Sequence, residues 1–200
     1  PDPPGSRVDR VVSFMDLAPT LLRLAGEPST SAYQGSAFLG EQPDPAPETG
    51  FLFRDRMDER IDMKRGVYDG EYRYIRNYHP HRPNGQHLTY LFNAQSTRAW
   101  HLAWREGRTT PEQAAFWEPV GYEELYHTAE DPWEVRNLAG DPSHARRLHA
   151  MRRQTDDHMR RVRDGGFLPE DLFERVLGDS AAGGPATLYA YFQSEDYPLG

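Results

Sequence analysis

Met-Lys-Arg-Gly-Val-Tyr-Asp-Gly-Glu-Tyr-Arg-Tyr-Ile-Arg-Asn-Tyr, residues 63–78, is the stretch that decides the fold. Asp69-Gly70 lies between two runs rich in β-forming residues, and this dipeptide favours a two-residue hairpin turn. The stretch therefore predicts two antiparallel strands in which Val67 lies opposite Tyr72. The neighbouring predicted pairs are Tyr68–Glu71, Gly66–Arg73 and Arg65–Tyr74.

Alternation of side chains along the strands gives this hairpin two unlike faces. One face is mostly apolar and aromatic and carries Met63, Arg65, Val67, Tyr72, Tyr74 and Arg76. The other face carries Tyr68, Glu71, Arg73 and Ile75. This pattern indicates an antiparallel sheet that is covered on one side. Because an isolated hairpin is only marginally stable in water, we expect partner strands at residues 50–54 and 123–127.

Helices are predicted on both sides of the sheet segments. Asp141 caps a long helix over residues 143–163, which ends at Gly165-Gly166. Its apolar side consists of Ala145, Leu148, Met151, Thr155 and Met159. Asp16 is the expected N-cap of a helix over residues 17–25, with an apolar stripe of Leu17, Leu21, Leu24 and Ala25. Shorter helices are predicted over residues 97–106, 110–117 and 168–177.

Composition limits what the chain can do. Only 37% of its 200 residues are hydrophobic, a thin core for this length, which suits a chain that docks part of its surface onto something else or a loop-rich domain. The net charge of −8 argues against general nucleic-acid binding, and all basic residues except Lys64 are Arg. The absence of Cys excludes disulfides and thiolate metal sites.

Four strings follow one another along the chain: Val-Ser-Phe-Met-Asp-Leu-Ala-Pro-Thr-Leu-Leu (12–22), Gly-Ser-Ala-Phe-Leu (35–39), Arg-Tyr-Ile (73–75), and Glu-Leu-Tyr (124–126) followed by Asp-Pro-Trp-Glu-Val-Arg-Asn-Leu-Ala (131–139). In this order they resemble the C-terminal part of a type I sulfatase. Residues 54–65 and 78–86 further resemble a bacterial branch related to the heparan N-sulfatases. The resemblance implies an α+β fold, a small antiparallel sheet with a C-terminal packing helix, preceded by the last helix of a truncated α/β sulfatase domain. It covers about residues 8–175.

The resemblance also implies how the chain is divided into domains and which catalytic motifs it lacks. Residues 1–48 are expected to end the large α/β domain, residues 49–166 to form the small subdomain, and residues 167–200 to form a helix and surface tail. Sulfatases of this type use a formylglycine nucleophile made from Cys or Ser in a Cys/Ser-X-Pro-X-Arg motif, and a calcium ion in the large domain. The sequence contains neither that motif nor the Asp-Asn-Gly string. We therefore expect no catalytic or metal residue here, and the missing N-terminal domain as partner.

The charged run at residues 54–65 is the candidate substrate site. Arg is the side chain that forks onto carboxylate or sulfate groups. We predict that four arginines grip an anionic sugar: Arg54, Arg56, Arg60 and Arg65. Asp55, Asp58 and Glu59 are expected to orient these arginines or to bind hydroxyl groups of the sugar. The alternative is a solvated network in which these mixed charges pair with one another.

The histidine-rich loop after the hairpin is the second candidate. His79, His81 and Arg82 are predicted at the rim of the substrate pocket. A metal site that includes His87 is a weaker interpretation, because no carboxylate pair lies nearby in sequence. Trp100, Trp104 and Trp117 could stack on a sugar ring, although aromatic residues at helical spacing more often pack together.

The leading hypothesis is a sulfatase segment that helps to shape the pocket for a sulfated carbohydrate or another sulfate ester. A stand-alone carbohydrate-binding or interaction module is the first alternative. The small domain of a related phosphohydrolase is the second. Because the chain begins at Pro1 without Met, we expect an upstream part, and a nucleophile motif there would separate the three hypotheses.

Overall fold

One antiparallel sheet organises the structure, a computed structural model that describes residues 5–27 and 33–171. Its four strands follow the order β1-β2-β3-β4 and comprise β1 (Gly50–Met57), β2 (Arg60–Tyr68), β3 (Tyr72–Asn77) and β4 (Glu123–His127). Both predicted partner strands are present, and β1 continues three residues beyond its predicted end at residue 54. The predicted α+β fold with a small antiparallel sheet is confirmed.

The turn between β2 and β3 shifts the predicted register by two residues. Val67 lies opposite Tyr74 rather than Tyr72. The Asp69 carboxylate accepts hydrogen bonds from the backbone N–H groups of Glu71 (3.1 Å) and Tyr72 (2.8 Å). Asp69 therefore stands before the turn instead of inside it, and Gly70, with φ of 93°, is the first of the two turn residues. Because the shift is an even number, every side chain keeps its predicted face.

The main core lies between the predicted apolar face and the long helix. That helix, α5 (Ala145–Val162), places Leu148 and Met151 against the sheet. The core consists of Val67, Tyr74, Leu125, Leu138, Leu148 and Met151. Packing of the helix across the hairpin, predicted from the apolar side of residues 143–163, is confirmed.

Helix α5 begins and ends with capping structures of its own. The Asp141 carboxylate accepts from the Ser143 N–H (2.9 Å), and a 3-10 turn, Pro142–His144, leads into the helix. The helix ends at Arg163, which has φ of 52°, two residues before the predicted glycine pair. The Asp164 N–H closes this end on the carbonyl of Met159 (3.0 Å), as in a Schellman motif. In the described ranges, no helix is long and apolar enough to cross a membrane.

Residues 78–122 form an excursion between β3 and β4. It contains three short helices, α2 (Thr89–Asn93), α3 (Gln95–Arg105) and α4 (Pro111–Ala114), of which α2 was not predicted. The Asn77 N–H donates to the carbonyl of Tyr122 (2.9 Å), and Pro83 forms an isolated bridge with Pro119. The two ends of the excursion therefore meet at the sheet.

The N-terminal helix α1 (Leu17–Leu24) presents its apolar stripe to solvent. Leu21 is 65% exposed, and the neighbouring Phe14 is 90% exposed. Asp16 is not the predicted side-chain cap, because its carboxylate accepts from the N–H groups of Ser13 (2.8 Å) and Ser36 (2.7 Å) instead. Ser13 caps the preceding 3-10 turn, Phe14–Asp16.

The C-terminal predictions are met only in part by described residues. Glu170 and Asp171 are helical, but Leu168 and Pro169 are not, because Leu168 has an extended backbone after a 3-10 turn, Gly165–Phe167. The rest of the predicted helix over residues 168–177 lies outside the described ranges. The division at residues 48 and 166 stays a prediction.

Candidate functional site

The charged run at residues 54–65 is a hairpin rather than a loop between strands. β1 runs to Met57 and β2 starts at Arg60, so only Asp58 and Glu59 form the turn. Asp58 adopts a left-handed conformation with φ of 45°. Since side chains alternate along both strands, the run divides its charges between the two faces of the sheet.

Arg65 lies on the core face and is fully engaged within the protein. Its side chain is 6% exposed. It donates two hydrogen bonds to Asp164 and one each to the carbonyls of Arg54 (2.9 Å) and Lys64 (2.8 Å), while Nη2 also reaches the Asp55 carboxylate (2.9 Å). Burial opposes the charge, but these carboxylates raise the pKa of Arg65 above its ordinary value. The guanidinium fixes the sheet to the end of α5.

Arg56 is also occupied by a carboxylate. Its Nε and Nη2 atoms donate to the two oxygens of Glu170, both at 2.6 Å. The hydrogen bonds from this guanidinium lower the pKa of Glu170, and the same bonds raise the pKa of Arg56. This fork ties the tip of the hairpin to the segment that follows α5.

The remaining charges at the hairpin tip contact the excursion. Arg60 donates from Nε to the carbonyl of His87 (2.7 Å). Glu59 accepts from the N–H (2.7 Å) and the hydroxyl (3.0 Å) of Thr89, at the start of α2. The pKa of Glu59 is lowered mainly by backbone hydrogen bonds. Both side chains therefore position the excursion against the sheet.

Arg54 lies on the opposite face of the sheet, beside two residues that the sequence reasoning missed. The Nε atom of Arg54 lies 3.5 Å from an oxygen of Asp62, and Nζ of Lys64 lies 3.7 Å from the same oxygen. Asp62 is 1% exposed, and neither carboxylate oxygen has a hydrogen-bond partner among the described residues. Lys64 also donates to Asn84 (2.6 Å). The available signal was the alternation of Asp62 and Lys64 along one strand.

The loop after β3 lies against the beginning of β2. The Nδ1 atom of His79 accepts the Met63 N–H (3.2 Å), which places the proton of the neutral ring on Nε2. Burial, and after it the nearby Arg82 guanidinium, lowers the pKa of His79. Arg82 donates to the carbonyl of Ile61, and His81 is exposed, with its ring 6.2 Å from that of His79.

The loop and the strand bring several cations together in a chain of net negative charge. Arg54, Lys64 and Arg82 converge near the start of β2, where Asp62 is the buried counter-charge. An anionic group is the ligand that such an excess of positive charge favours. Among residues 5–27 and 33–171, no three His, Asp or Glu side chains lie close enough to hold a metal ion.

The tryptophans form a second, smaller core inside the excursion. Trp117 is 4% exposed. Trp100 stacks on Phe116 with ring centroids 4.8 Å apart, and Trp104 stacks on Trp117 at 6.1 Å. The indole N–H groups of Trp100 and Trp104 donate to the Gln113 carbonyl and to Glu118. These contacts assign the three rings to packing.

Comparison with known proteins gives matches to sulfatases. No family model matches the chain. An ulvan-active sulfatase from Formosa agariphila is 31% identical over 179 residues, which cover 89% of this chain and 30% of that protein. Another ulvan-active sulfatase from this organism is 26% identical over 147 residues, covering 70% of this chain and 27% of that protein.

A solved structure of a 2-O GAG sulfatase has a TM-score of 0.54 and 22% identity, covering 80% of this chain and 27% of that chain. This likeness supports the fold. The chain spans 30% of the length of the first of these curated relatives and 27% of the second.

Proposed function

Because the chain is related to the sulfatases and matches a C-terminal region of them, we propose that it helps to shape the substrate pocket of such an enzyme. The substrate is a carbohydrate that carries sulfate esters or N-sulfate groups. Support for a carbohydrate comes from the relatives, which are named ulvan-active sulfatases. The cations near the start of β2 suit a sulfated sugar.

The pocket role depends above all on Arg54. Carboxylates already accept hydrogen bonds from the guanidinium groups of Arg56 and Arg65, and Arg60 donates a hydrogen bond to a backbone carbonyl. Arg54 is 34% exposed, and its only polar side-chain contact with the described residues is the one to Asp62. We therefore narrow the predicted substrate contacts to Arg54, with His79, His81 and Arg82 at the rim.

The partner in this proposal is the remainder of a sulfatase. The exposed apolar stripe of α1 supports it, because contiguous exposed apolar surface marks interaction sites. The formylglycine nucleophile and the calcium ion of the resembled sulfatases belong to that remainder, where the ion supplies charge stabilisation. The described residues of this chain take part in substrate binding and in no bond-breaking step.

A chimeric enzyme tests this function. The matching region of the 31% identical Formosa agariphila sulfatase is replaced by this chain, and hydrolysis of ulvan oligosaccharides is compared with that of a small aryl sulfate. Arg54→Lys removes the fork and keeps the charge. Loss of one charge-assisted contact costs about 1.5–3 kcal/mol, so kcat/KM for the oligosaccharide should fall about tenfold to hundredfold.

The aryl sulfate and a matched variant provide the controls. Arg108→Lys alters an exposed arginine that pairs with Glu106, and it should leave both activities unchanged. Hydrolysis of the aryl sulfate by the Arg54→Lys chimera should stay within about twofold, since a small substrate does not reach this contact. A folded chimera without activity, or equal losses on both substrates, would contradict the proposed function.

A further inference from the structure

We propose that Asp62 is a positioning residue that turns the guanidinium of Arg54 outward, so that its two Nη atoms form a fork for a carboxylate or sulfate group. The inference rests on the proposed function for the identity of that anion, a charged group of the sugar. It adds a residue outside the predicted set and states how that residue acts.

The burial of Asp62 without hydrogen bonds is the first observation. Both oxygens are buried and lack a hydrogen-bond donor among the described residues, and the side chain is 1% exposed. A buried carboxylate without hydrogen bonds is costly unless nearby charges compensate it. The two compensating cations are Arg54 at 3.5 Å and Lys64 at 3.7 Å. A ligand does not reach Asp62 itself, so its effect passes through these cations.

Lys64 and Arg54 differ in what they can still bind. The Lys64 side chain is 12% exposed and donates a hydrogen bond to Asn84 at 2.6 Å, so its ammonium group is directed to the protein rather than to a ligand. The backbone of Arg54 is fixed by the bond from Arg65 to its carbonyl (2.9 Å). Its Nε is the atom nearest to Asp62, and in the described part of the chain neither Nη atom donates a hydrogen bond. The planar fork at that end fits a carboxylate or sulfate.

The loop after β3 does not neutralise the excess positive charge around Asp62. His79 is held neutral by its acceptor role toward the Met63 N–H, so it adds no charge beside Asp62. Arg82, bonded to the Ile61 carbonyl, adds a further cation on the same side. Arg54, Lys64 and Arg82 against Asp62 leave the cluster cationic, which favours an anion at Arg54.

The role of Asp62 can be tested because two explanations predict opposite effects of Asp62→Asn on the affinity for anions. If Asp62 is only a nearby negative charge, Asp62→Asn removes a repulsion and the chain binds anions more tightly. If Asp62 orients Arg54, the same substitution releases the guanidinium and binding weakens. We expect a loss of about threefold to tenfold, since an oriented charge-assisted contact is worth more than an unoriented one.

The experiment is calorimetric titration of the full chain with inorganic sulfate and, separately, with D-glucuronate. Asp62→Asn and Arg54→Lys should both weaken binding, while Arg108→Lys should not. The probe that loses more affinity identifies the anion. Tighter binding by Asp62→Asn, or unchanged binding by Arg54→Lys, overturns the inference.

A measurement on the unmodified chain covers the case in which Asp62→Asn does not fold. The 15N resonance of the Arg54 Nε should move on addition of sulfate, with the resonance of Arg108 as the internal reference. An unmoved Arg54 resonance at saturating sulfate overturns the inference. Anion binding at Arg54 together with an inactive chimera refutes the proposed function alone, so the two failures are distinguishable.

Discussion

Arg65 on β2 and Asp164 after α5 are joined by two hydrogen bonds although 99 residues separate them. Hydrogen bonds from Arg65 and from the Gly166 N–H hold the pKa of Asp164 below its ordinary value, although burial opposes this. A Cβ at Gly166 would lie 2.0 Å from Nη2 of Arg65, so a side chain there would displace this guanidinium. The pair fastens the sheet to the segment that ends the long helix.

Removing one partner of this pair should destabilise the protein strongly. Asp164→Asn removes the carboxylate that accepts two hydrogen bonds from the buried Arg65 guanidinium and leaves only Asp55 as its charge partner. Breaking a buried pair costs about 3–5 kcal/mol. Urea unfolding at pH 7 measures the change. Asp157→Asn is the matched control, because Asp157 pairs with Arg160 where both side chains are exposed, and it should change the free energy of unfolding by less than about 0.5 kcal/mol. Similar effects from the two variants would contradict a structural role for Arg65.

His158 should make stability depend on pH. Its ring stacks on Phe51 at 3.5 Å and accepts from Arg161 (3.0 Å), and burial, followed by Arg161, lowers its pKa. The unfolded chain therefore binds more protons below the ordinary value of about 6.5. This contribution to stability is complete above that pH and is lost as the pH falls toward the lowered pKa.

His158→Phe tests this dependence, because it keeps an aromatic ring on Phe51 and removes the titrating group. Urea unfolding at pH 7.5 and pH 5.5 should give a smaller difference in the free energy of unfolding for the variant than for the parent chain. His79, whose pKa is also lowered, contributes the same sign and accounts for part of the remaining slope. An identical pH dependence in both chains would exclude His158 as the source.

Asp69 should be more important for stability than its exposed turn suggests. Its carboxylate accepts the two N–H groups of the turn and pairs with Arg147 (2.9 Å) on α5. Asp69→Ala should lower the free energy of unfolding by about 1–3 kcal/mol, the cost of losing charge-assisted hydrogen bonds. Glu106→Ala, at an exposed pair, is the control and should have little effect. Chemical denaturation that fails to separate the two variants would count against the turn assignment.

Substitutions of the adjacent residues Thr20 and Leu21 on α1 should differ in their effect on hydrogen exchange of the Phe38 amide. Thr20 is 3% exposed, and its hydroxyl accepts the Phe38 N–H at 3.0 Å, whereas Leu21 is 65% exposed. Thr20→Val should speed hydrogen exchange of the Phe38 amide about tenfold, as expected for loss of roughly 1–2 kcal/mol. Leu21→Ser should leave that exchange unchanged. Faster exchange in Leu21→Ser would mean that the apolar stripe packs within the chain.

Alternation and amphipathicity were enough to predict the sheet, its faces and the packing of α5. They could not give the register, because Asp69 forms side-chain hydrogen bonds that compete with the expected turn. Helix α2 has only five residues, and Glu59 from the turn between β1 and β2 accepts the N–H at its start, so its local sequence carries no start signal. Asp16 lies at the predicted N-cap position of α1, but its carboxylate binds the Ser36 N–H instead of capping the helix, because that partner is set by tertiary structure.

The candidate site was predictable as a charged run but not as individual contacts. Arg56 and Arg65 are occupied by Glu170 and Asp164, which lie more than ninety residues further along the chain. Asp62 was missed because its burial depends on the tertiary structure near the start of β2, where Arg82 of the loop after β3 binds the carbonyl of Ile61. Which arginine stays available for a ligand is therefore a property of the long-range fold.

The meeting of both ends of the excursion at the sheet has an evolutionary consequence. We expect insertions and deletions between residues 78 and 122 to preserve the pairing of β3 with β4, because the hydrogen bond from Asn77 to Tyr122 joins the two ends of the excursion. The same excursion supplies His79, Arg82 and Asn84 to the cationic cluster. Descendants of this chain can therefore exchange the excursion and acquire new ligand preferences while inheriting the sheet unchanged.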